Sequence, residues 1–174
     1  MTIRKILTEP DPFLRQKSKK VERVDDETRS LMNDMLETMY DAPGIGLAAI
    51  QIGIPKRIIV LDISKDPKKK KPMYFINPEK IYTSEDQATY EEGCLSVPGQ
   101  FAEIDRPDKC HIKYLDYNGN AKELKAEGLL ATCIQHEMDH LEGILFIDYL
   151  SKLKRSMITK KLSKQKKELE RIVV

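Results

Sequence analysis

The sequence predicts an α+β fold in which short antiparallel strands pack around a central helix carrying a His-Glu-x-x-His (HExxH) motif. An N-terminal helix and a long C-terminal helix complete the prediction. It depends on helical spacing of apolar residues at both ends of the chain, β-branched segments between turns in the middle, and an uninterrupted apolar segment around the motif. The 174 residues, 40% of them apolar, suit one domain with a sizeable core. We therefore expect residues 1–174 to form a single domain.

The first helix and the first strand follow from apolar patterning. A helix is predicted over residues 25–40, where apolar residues recur at helical spacing behind an acidic first turn, and Pro43-Gly44 ends it. Residues 57–63 are rich in β-branched side chains and predict a largely buried strand. The lysines at 68–71 are then expected in a solvated loop.

The middle of the chain is predicted to contain further short strands joined by turns. Its apolar segments are short and rich in β-branched and aromatic residues. Asn118-Gly119 is typical of a hairpin turn, because both residues tolerate the backbone conformation that such turns need. The predicted strands are residues 73–76, 80–82, 101–104 and 110–115, and the return arm of the hairpin, 122–125.

Two helices are predicted in the last third of the chain. No Gly or Pro interrupts the apolar segment 129–141, and Gly143 follows its end. Residues 150–172 combine regularly spaced apolar residues with a lysine-rich remainder, the pattern of a long amphipathic helix. Nine lysines and arginines but two glutamates lie between residues 152 and 171, so this helix has a local positive field.

Composition excludes several classes of protein. The formal net charge is only +2, so no global field indicates sequence-specific nucleic-acid binding. The first residues lack the apolar core of a secretory signal, and no segment has the length of a membrane span, so we expect a cytoplasmic protein without a membrane partner. Three cysteines at irregular spacing argue against a disulfide framework and leave thiols free to bind metal.

The strongest chemical signal is the segment Gln135-His136-Glu137-Met138-Asp139-His140. Two histidines four residues apart on a helix point from the same face and can hold one divalent cation between them. Glu137, beside the first histidine, is placed to act as a general base. A catalytic site of this kind needs a third protein ligand and one open coordination position.

Spacing leaves two thiols open as the third ligand. Cys94 lies in residues 92–99, whose glycines and proline indicate a defined loop or strand end, a rigid turn that can present a thiolate. Cys133 lies three residues before His136 and so shares its helical face. Cys110, next to His111 in a strand pattern, is expected to be structural.

The alternative interpretation is a zinc metalloprotease with the extended motif H-E-x-x-H-x-x-G-x-x-H. Gly143 falls on the glycine of that pattern, but Phe146 stands at the position of its third histidine. Other proteases of the class use a downstream glutamate, and Glu168 and Glu170 lie on the predicted basic helix, away from the histidines. The motif alone therefore does not name an enzyme.

Three separated segments resemble the three motifs of the peptide deformylase family, in the family's order. They are Gly44-Ile45-Gly46-Leu47-Ala48-Ala49-Ile50-Gln51, Glu92-Gly93-Cys94-Leu95-Ser96 and Gln135-His136-Glu137-Met138-Asp139-His140. The likeness extends to residues 11–15 and 146–150 and is weakest in the terminal basic helix. Ile50 stands where the family commonly has proline, which removes a backbone constraint just before Gln51. We expect neighbouring packing to hold this loop in shape.

The resemblance implies a metallohydrolase that removes the N-formyl group from N-formylmethionine of nascent polypeptides and releases formate. The implied metal ligands are Cys94, His136 and His140. Glu137 is implied as the general base, and the Gln51 side-chain amide and the Leu95 backbone N–H as donors to the formyl oxygen. Ferrous iron is implied in the cell, although these ligands also suit zinc, nickel or cobalt. The implied substrate-binding residues are Gly44, Ile45, Gly46, Leu129 and Cys133.

Further roles concern residues around these motifs. Glu92 is expected to orient a histidine ligand or to brace the Cys94 loop. Thr132 is expected to border the methionine slot. Arg106, after the predicted strand 101–104, is expected either to bind the peptide backbone or the C-terminal side of the substrate, or to be merely solvated, and it is left out of the catalytic set. The basic helix 150–172 has two interpretations, an ordinary solvated face or, because the family's substrate emerges on the ribosome, a surface that docks transiently on ribosomal RNA through phosphate contacts.

Overall fold

The computed structural model describes residues 2–173, and side chains within residues 2–171. The predicted α+β architecture of helices and antiparallel strands is confirmed. Across the described range, the helices are α1 (Asp26–Asp41), α2 (Gly128–Leu141) and α3 (Lys152–Val173). The strands are β1 (Gly46–Ala48), β2 (Ile58–Leu61), β3 (Met73–Thr83), β4 (Gln87–Cys94), β5 (Val97–Pro107), β6 (Lys109–Leu115) and β7 (Ala121–Glu127). None of the helices in that range combines the length and apolar composition needed to cross a bilayer.

Helix α1 begins at a capped turn and packs one face on the core. The Asp25 side chain accepts a hydrogen bond from the Thr28 backbone N–H at 2.9 Å, and acidic residues occupy the first turn. Its buried apolar face consists of Leu31, Met32, Met35 and Met39. The helix ends at Asp41, and its C-cap residue Ala42 directly precedes Pro43, which the sequence predicts to end the helix.

The strands form two antiparallel sheets that enclose α2. Five strands pair in the order β1-β2-β3-β6-β7, and β4 and β5 form a separate two-stranded hairpin. Strand β2 is buried at all four positions, which agrees with its β-branched sequence. Helix α2 contacts strands of both sheets and therefore joins them.

Several predicted strand boundaries are wrong. Residues 73–76 and 80–82 belong to one strand, β3, whose pairing with β6 shifts register after Ile76, where Asn77 has a φ of 52° and Pro78 follows. Residues 101–104 are the middle of the longer β5. Strands β1 and β4 are missed, because β1 is only three residues long and β4 carries polar side chains at many exposed positions.

The long C-terminal helix is present, and several of its apolar residues are exposed. Leu162 is buried, and Ile158 packs with it against Val97 and Phe146. Leu153, Met157 and Leu169 are 72%, 62% and 64% exposed, and the side chain of Ile172 lies outside the described residues. The assignment of residues 1–174 to one domain stays a prediction.

Candidate active site

Helix α2 places the two histidines and the glutamate of the HExxH motif inside the molecule. Every residue of α2 from 131 to 141 is buried, which its uninterrupted apolar sequence allows. His140 is fully buried, and its ring lies 5.2 Å from that of His136, measured between centroids. Because these residues are four apart, both imidazoles face the hairpin formed by β4 and β5.

The hairpin brings Cys94 to these histidines. Cys94 ends β4 and pairs with Val97 across a tight turn, and the Glu9 backbone N–H donates to the Ser96 carbonyl of that turn at 2.8 Å. Cys94 Sγ lies 3.4 Å from His140 Nε2. Donor atoms of Cys94, His136 and His140 all lie within 4.8 Å of one another. The fold therefore brings together the thiol of the distant loop, and not that of Cys133, with the two imidazoles.

The donor set fits a divalent cation. One thiolate and two imidazoles suit zinc, nickel, cobalt or ferrous iron. Bonds of about 2.1–2.3 Å in a tetrahedral arrangement place ligand atoms roughly 3.4–3.6 Å apart, close to the sulfur–nitrogen separation observed here. Burial and the charge of His136 hold the pKa of His140 well below its ordinary value.

Glu137 lies beside the three donor side chains. Its Oε1 is 3.9 Å from His136 Nε2, and its buried Oε2 has no hydrogen-bond partner among residues 2–171. Burial raises the pKa of Glu137 to about 7, although the charge of His136 lowers it. A buried carboxylate with an uncommitted oxygen can accept a proton from water and return it.

A buried ion-pair network supports His136. Glu92 Oε1 lies 2.8 Å from His136 Nδ1, so the carboxylate orients the ring. Burial opposes charge on His136, but the contacts with Cys94 and Glu92 outweigh it and raise the pKa of His136 well above its ordinary value. This position of Glu92 agrees with one of the two roles expected for it, that of orienting a histidine.

Of the two interpretations of Arg106, the one in which its side chain is merely solvated is wrong. Arg106 is 4% exposed and donates to both oxygens of Glu92 and, from Nη1, to Asp139 Oδ2 at 2.8 Å. Tyr149 also donates to Asp139, at 2.7 Å, and its ring lies 5.0 Å from the guanidinium carbon. One signal in the sequence indicates this burial: Arg106 is two residues from the apolar Ile104 and therefore shares its face of β5.

Gln51 points its amide at the Cys94 turn. Its Oε1 accepts a hydrogen bond from the Ala48 backbone N–H at 2.9 Å. Its Nε2 donates to Ser96 Oγ at 2.9 Å and lies 3.5 Å from Cys94 Sγ. Ile50, the departure from the family motif, is fully buried in a 3-10 turn over Ala49–Ile52, so packing holds the loop in the structure.

A cavity of about 470 Å³ opens beside the donor group. A Cβ atom at Gly44 would lie 2.6 Å from Leu95 Cδ1, and one at Gly46 would lie 2.7 Å from Glu137 Oε1 and from Leu61 Cδ2, so a side chain at either position would displace these neighbours. Burial raises the pKa of Cys133 to about 12, which keeps its thiol neutral in the wall. The predicted site residues that line this cavity are Gly44, Ile45, Gly46, Glu92, Cys94, Leu95, Leu129, Thr132, Cys133, His136 and Glu137.

Phe146, at the position of the third histidine in the extended protease motif, supplies no ligand atom. It is 1% exposed, and its ring centroid lies 6.1 Å from that of His136, with the two rings stacked. Apolar packing therefore occupies this side of the histidine.

Comparison with known proteins gives consistent matches along the chain. Residues 3–156 match the family model described as polypeptide deformylase. A peptide deformylase of Pelagibacter ubique (strain HTCC1062) is 68% identical over 174 residues, which cover 100% of both chains. The crystal structure of peptide deformylase from Ehrlichia chaffeensis in complex with actinonin has a TM-score of 0.91 at 44% identity, covering 95% of this chain and 98% of that one. A peptide deformylase from Legionella pneumophila has a TM-score of 0.89 at 48% identity, covering 98% and 99%.

Proposed function

This chain belongs to the polypeptide deformylase family of hydrolases, and from that premise we propose that it removes the formyl group from N-formylmethionine of nascent polypeptides. The main support for the proposal is that the donor atoms of Cys94, His136 and His140 lie close together, beside Glu137. These residues lie beside a cavity of about 470 Å³ that Gly44 and Gly46 line. A nascent polypeptide as substrate also favours a cytoplasmic enzyme.

The proposed metal ligands are Cys94, His136 and His140. We propose ferrous iron in the cell, and the same donors accept zinc, nickel or cobalt in a purified sample. When bound, the cation supplies a Lewis acid that polarises the formyl carbonyl and makes water more acidic. Glu92 contributes by fixing the orientation of the His136 ring.

Glu137 is the proposed general base and general acid. Its carboxylate takes a proton from the attacking water and gives a proton to the departing nitrogen. The formyl carbon gains an oxygen from water and the C–N bond breaks, which leaves formate and a free amino terminus. Because the Glu137 side chain is buried, packing holds it near the reacting atoms.

Two donors are proposed to bind the formyl oxygen as it gains negative charge. One is the Gln51 side-chain amide, whose orientation is fixed by the Ala48 N–H on one side and by Ser96 on the other. The other is the backbone N–H of Leu95, in the turn after Cys94. Donors that are oriented before the reaction stabilise the transition state without reorganising.

The peptide is proposed to bind along β1. This strand is at the edge of the five-stranded sheet and pairs only with β2 among the described strands, so its other edge can pair with an extended peptide. Gly44 and Gly46 allow the close approach that such pairing needs. The methionine side chain would then enter the slot between Ile45, Leu129 and Cys133.

A formate-release assay tests this function. The enzyme should release formate from a formyl-Met peptide and leave internal peptide bonds intact, and actinonin, which the Ehrlichia enzyme binds, should inhibit it. Cleavage of internal bonds without formate release would instead support a metalloprotease.

We also propose that α3 docks on the ribosome. One face of this helix presents Lys152, Arg155, Lys160, Lys164 and Lys167 along a shallow groove. Such a row of cations suits the phosphates of ribosomal RNA and carries no base readout.

A further inference from the structure

A second groove lies beside the active-site cavity, between the hairpin and α3. We call it the hairpin–α3 groove. Strand β5 lines it with Gln100, Phe101 and Glu103, and α3 lines it with Lys154, Met157 and Lys161. Phe101 and Met157 are 64% and 62% exposed, so the floor and rim present apolar surface to solvent. Single exposed apolar residues are ordinary on protein surfaces, but apolar residues grouped in a groove indicate a binding surface.

The hairpin–α3 groove is continuous with the active-site cavity. Gln100 and Phe101 line both of them. A chain that leaves the cavity past Gln100 and Phe101 therefore reaches residues that also line the groove. This continuity distinguishes the groove from the basic row on another face of α3, which shares no residue with the cavity.

The charges along the groove suit an extended peptide. Lys154 and Lys161 lie on its helical side and Glu103 on its strand side. Lysines can pair with carboxylate side chains and with the carbonyl oxygens of an extended backbone. Met157, which is unbranched and flexible, can adapt to different apolar side chains. Such a surface accepts varied sequences, as an enzyme acting on many nascent chains requires.

We propose that the hairpin–α3 groove binds the residues of the peptide substrate that lie beyond the first three, which the active-site cavity holds. Apolar side chains of the substrate pack on Phe101 and Met157, and its carboxylates pair with Lys154 or Lys161. This inference rests on the proposed function, because it needs a formyl peptide in the cavity. The groove then adds affinity for longer substrates without taking part in the chemistry.

Peptide length and a matched pair of variants test the proposal. A peptide of about ten residues spans up to roughly 30 Å when extended, far more than a tripeptide. With apolar and acidic residues downstream, it should exceed a formyl-Met tripeptide by about fivefold in kcat/KM, through a lower KM. Met157→Asp should remove that gain, because it places a carboxylate in the apolar part of the groove. Leu153→Asp makes the same change on the same helix, outside the lining residues, and should keep the gain.

The possible results distinguish a failure of the groove proposal from a failure of the proposed function on which it rests. Absence of formate release from the tripeptide would overturn the proposed function. Normal tripeptide turnover with no length preference, or an equal loss of preference in both variants, would overturn the groove proposal alone. A concentration-dependent dimer of the wild type that only Met157→Asp dissociates would assign the groove to a second copy of the chain, and would also overturn it.

Discussion

Arg106 donates two hydrogen bonds to Glu92, from Nε to Oε2 at 2.7 Å and from Nη2 to Oε1 at 3.0 Å. The same Glu92 Oε1 contacts His136 Nδ1, so an arginine on β5 reaches a proposed metal ligand through one carboxylate. Asp139, one residue from His140, accepts a further hydrogen bond from Arg106. The hairpin that carries Cys94 and the helix that carries both histidines are thereby joined by one buried cation.

Replacing Arg106 should therefore damage both stability and metal binding. Arg106→Met leaves the carboxylates of Glu92 and Asp139 buried without their cation, which should cost about 3–5 kcal/mol in the free energy of unfolding. Metal affinity should fall about 10- to 100-fold, because His136 loses its fixed orientation. Urea denaturation and metal titration measure the two effects.

The matched control for Arg106 is Arg57. Arg57 pairs with Glu142 at 2.8 Å, but the glutamate is 46% exposed. Arg57→Met should cost no more than about 1 kcal/mol and should leave metal affinity unchanged. Equal effects of the two substitutions would show that the buried network does not position the histidine.

The two cysteines near the cavity should respond differently to removal of their thiols. Cys94→Ala should lose the metal and all formate release, since one of three proposed ligand atoms disappears. Cys133→Ala should keep the metal and change mainly KM, because its neutral thiol lies in the cavity wall. Metal content should be measured after anaerobic purification, because ferrous iron and thiolates both oxidise. Loss of metal in Cys133→Ala but not in Cys94→Ala would reverse the assignment.

Gln51→Glu tests the proposed donor to the formyl oxygen. A carboxylate retains the acceptor for the Ala48 N–H but replaces the donating amide with an acceptor. We expect kcat to fall by about a hundredfold while the fold persists. Ser96→Ala is the control, because it removes a hydrogen-bond partner of Gln51 and leaves its amide donor in place. A kcat of Gln51→Glu close to that of the wild type would exclude the role.

Ribosome docking should depend on the charge of α3. Lys160→Glu combined with Lys164→Glu should weaken ribosome binding about tenfold at low salt and should reduce its salt dependence. The same reversal at Lys68 and Lys69, in the exposed lysine loop, changes the net charge equally and should have little effect. Binding measured at several salt concentrations distinguishes the two, and equal weakening would indicate attraction by net charge alone.

Local sequence patterns predict the helices and the family well, but they predict the β4–β5 hairpin poorly. Apolar spacing and flanking Pro and Gly place α1 and α2 within a few residues of their observed bounds. The family resemblance inferred from three motifs is confirmed by relatives that match the whole chain. Strand β4 belongs to a two-stranded sheet with one solvated side, so many of its side chains are polar and its pattern resembles a loop.

The contacts that cannot be predicted from the sequence are those between residues far apart in the chain. The sequence leaves Cys133 and Cys94 equally possible as the third metal ligand. Only the folded hairpin brings Cys94 to histidines more than forty residues away. Burial of Arg106 depends on carboxylates 14 and 33 residues distant, which no local window contains. Exposure of Met157 likewise depends on where β5 lies beside α3.

The most direct test of the central claim is to measure metal content and formate release together in Glu137→Gln. The amide has nearly the shape of the carboxylate but cannot take up a proton, so the Cys94, His136 and His140 donors should remain in place. We predict the metal content of the wild type and a loss of turnover of at least about a hundredfold. Turnover near that of the wild type, with metal bound, would contradict the assignment of Glu137 as the base.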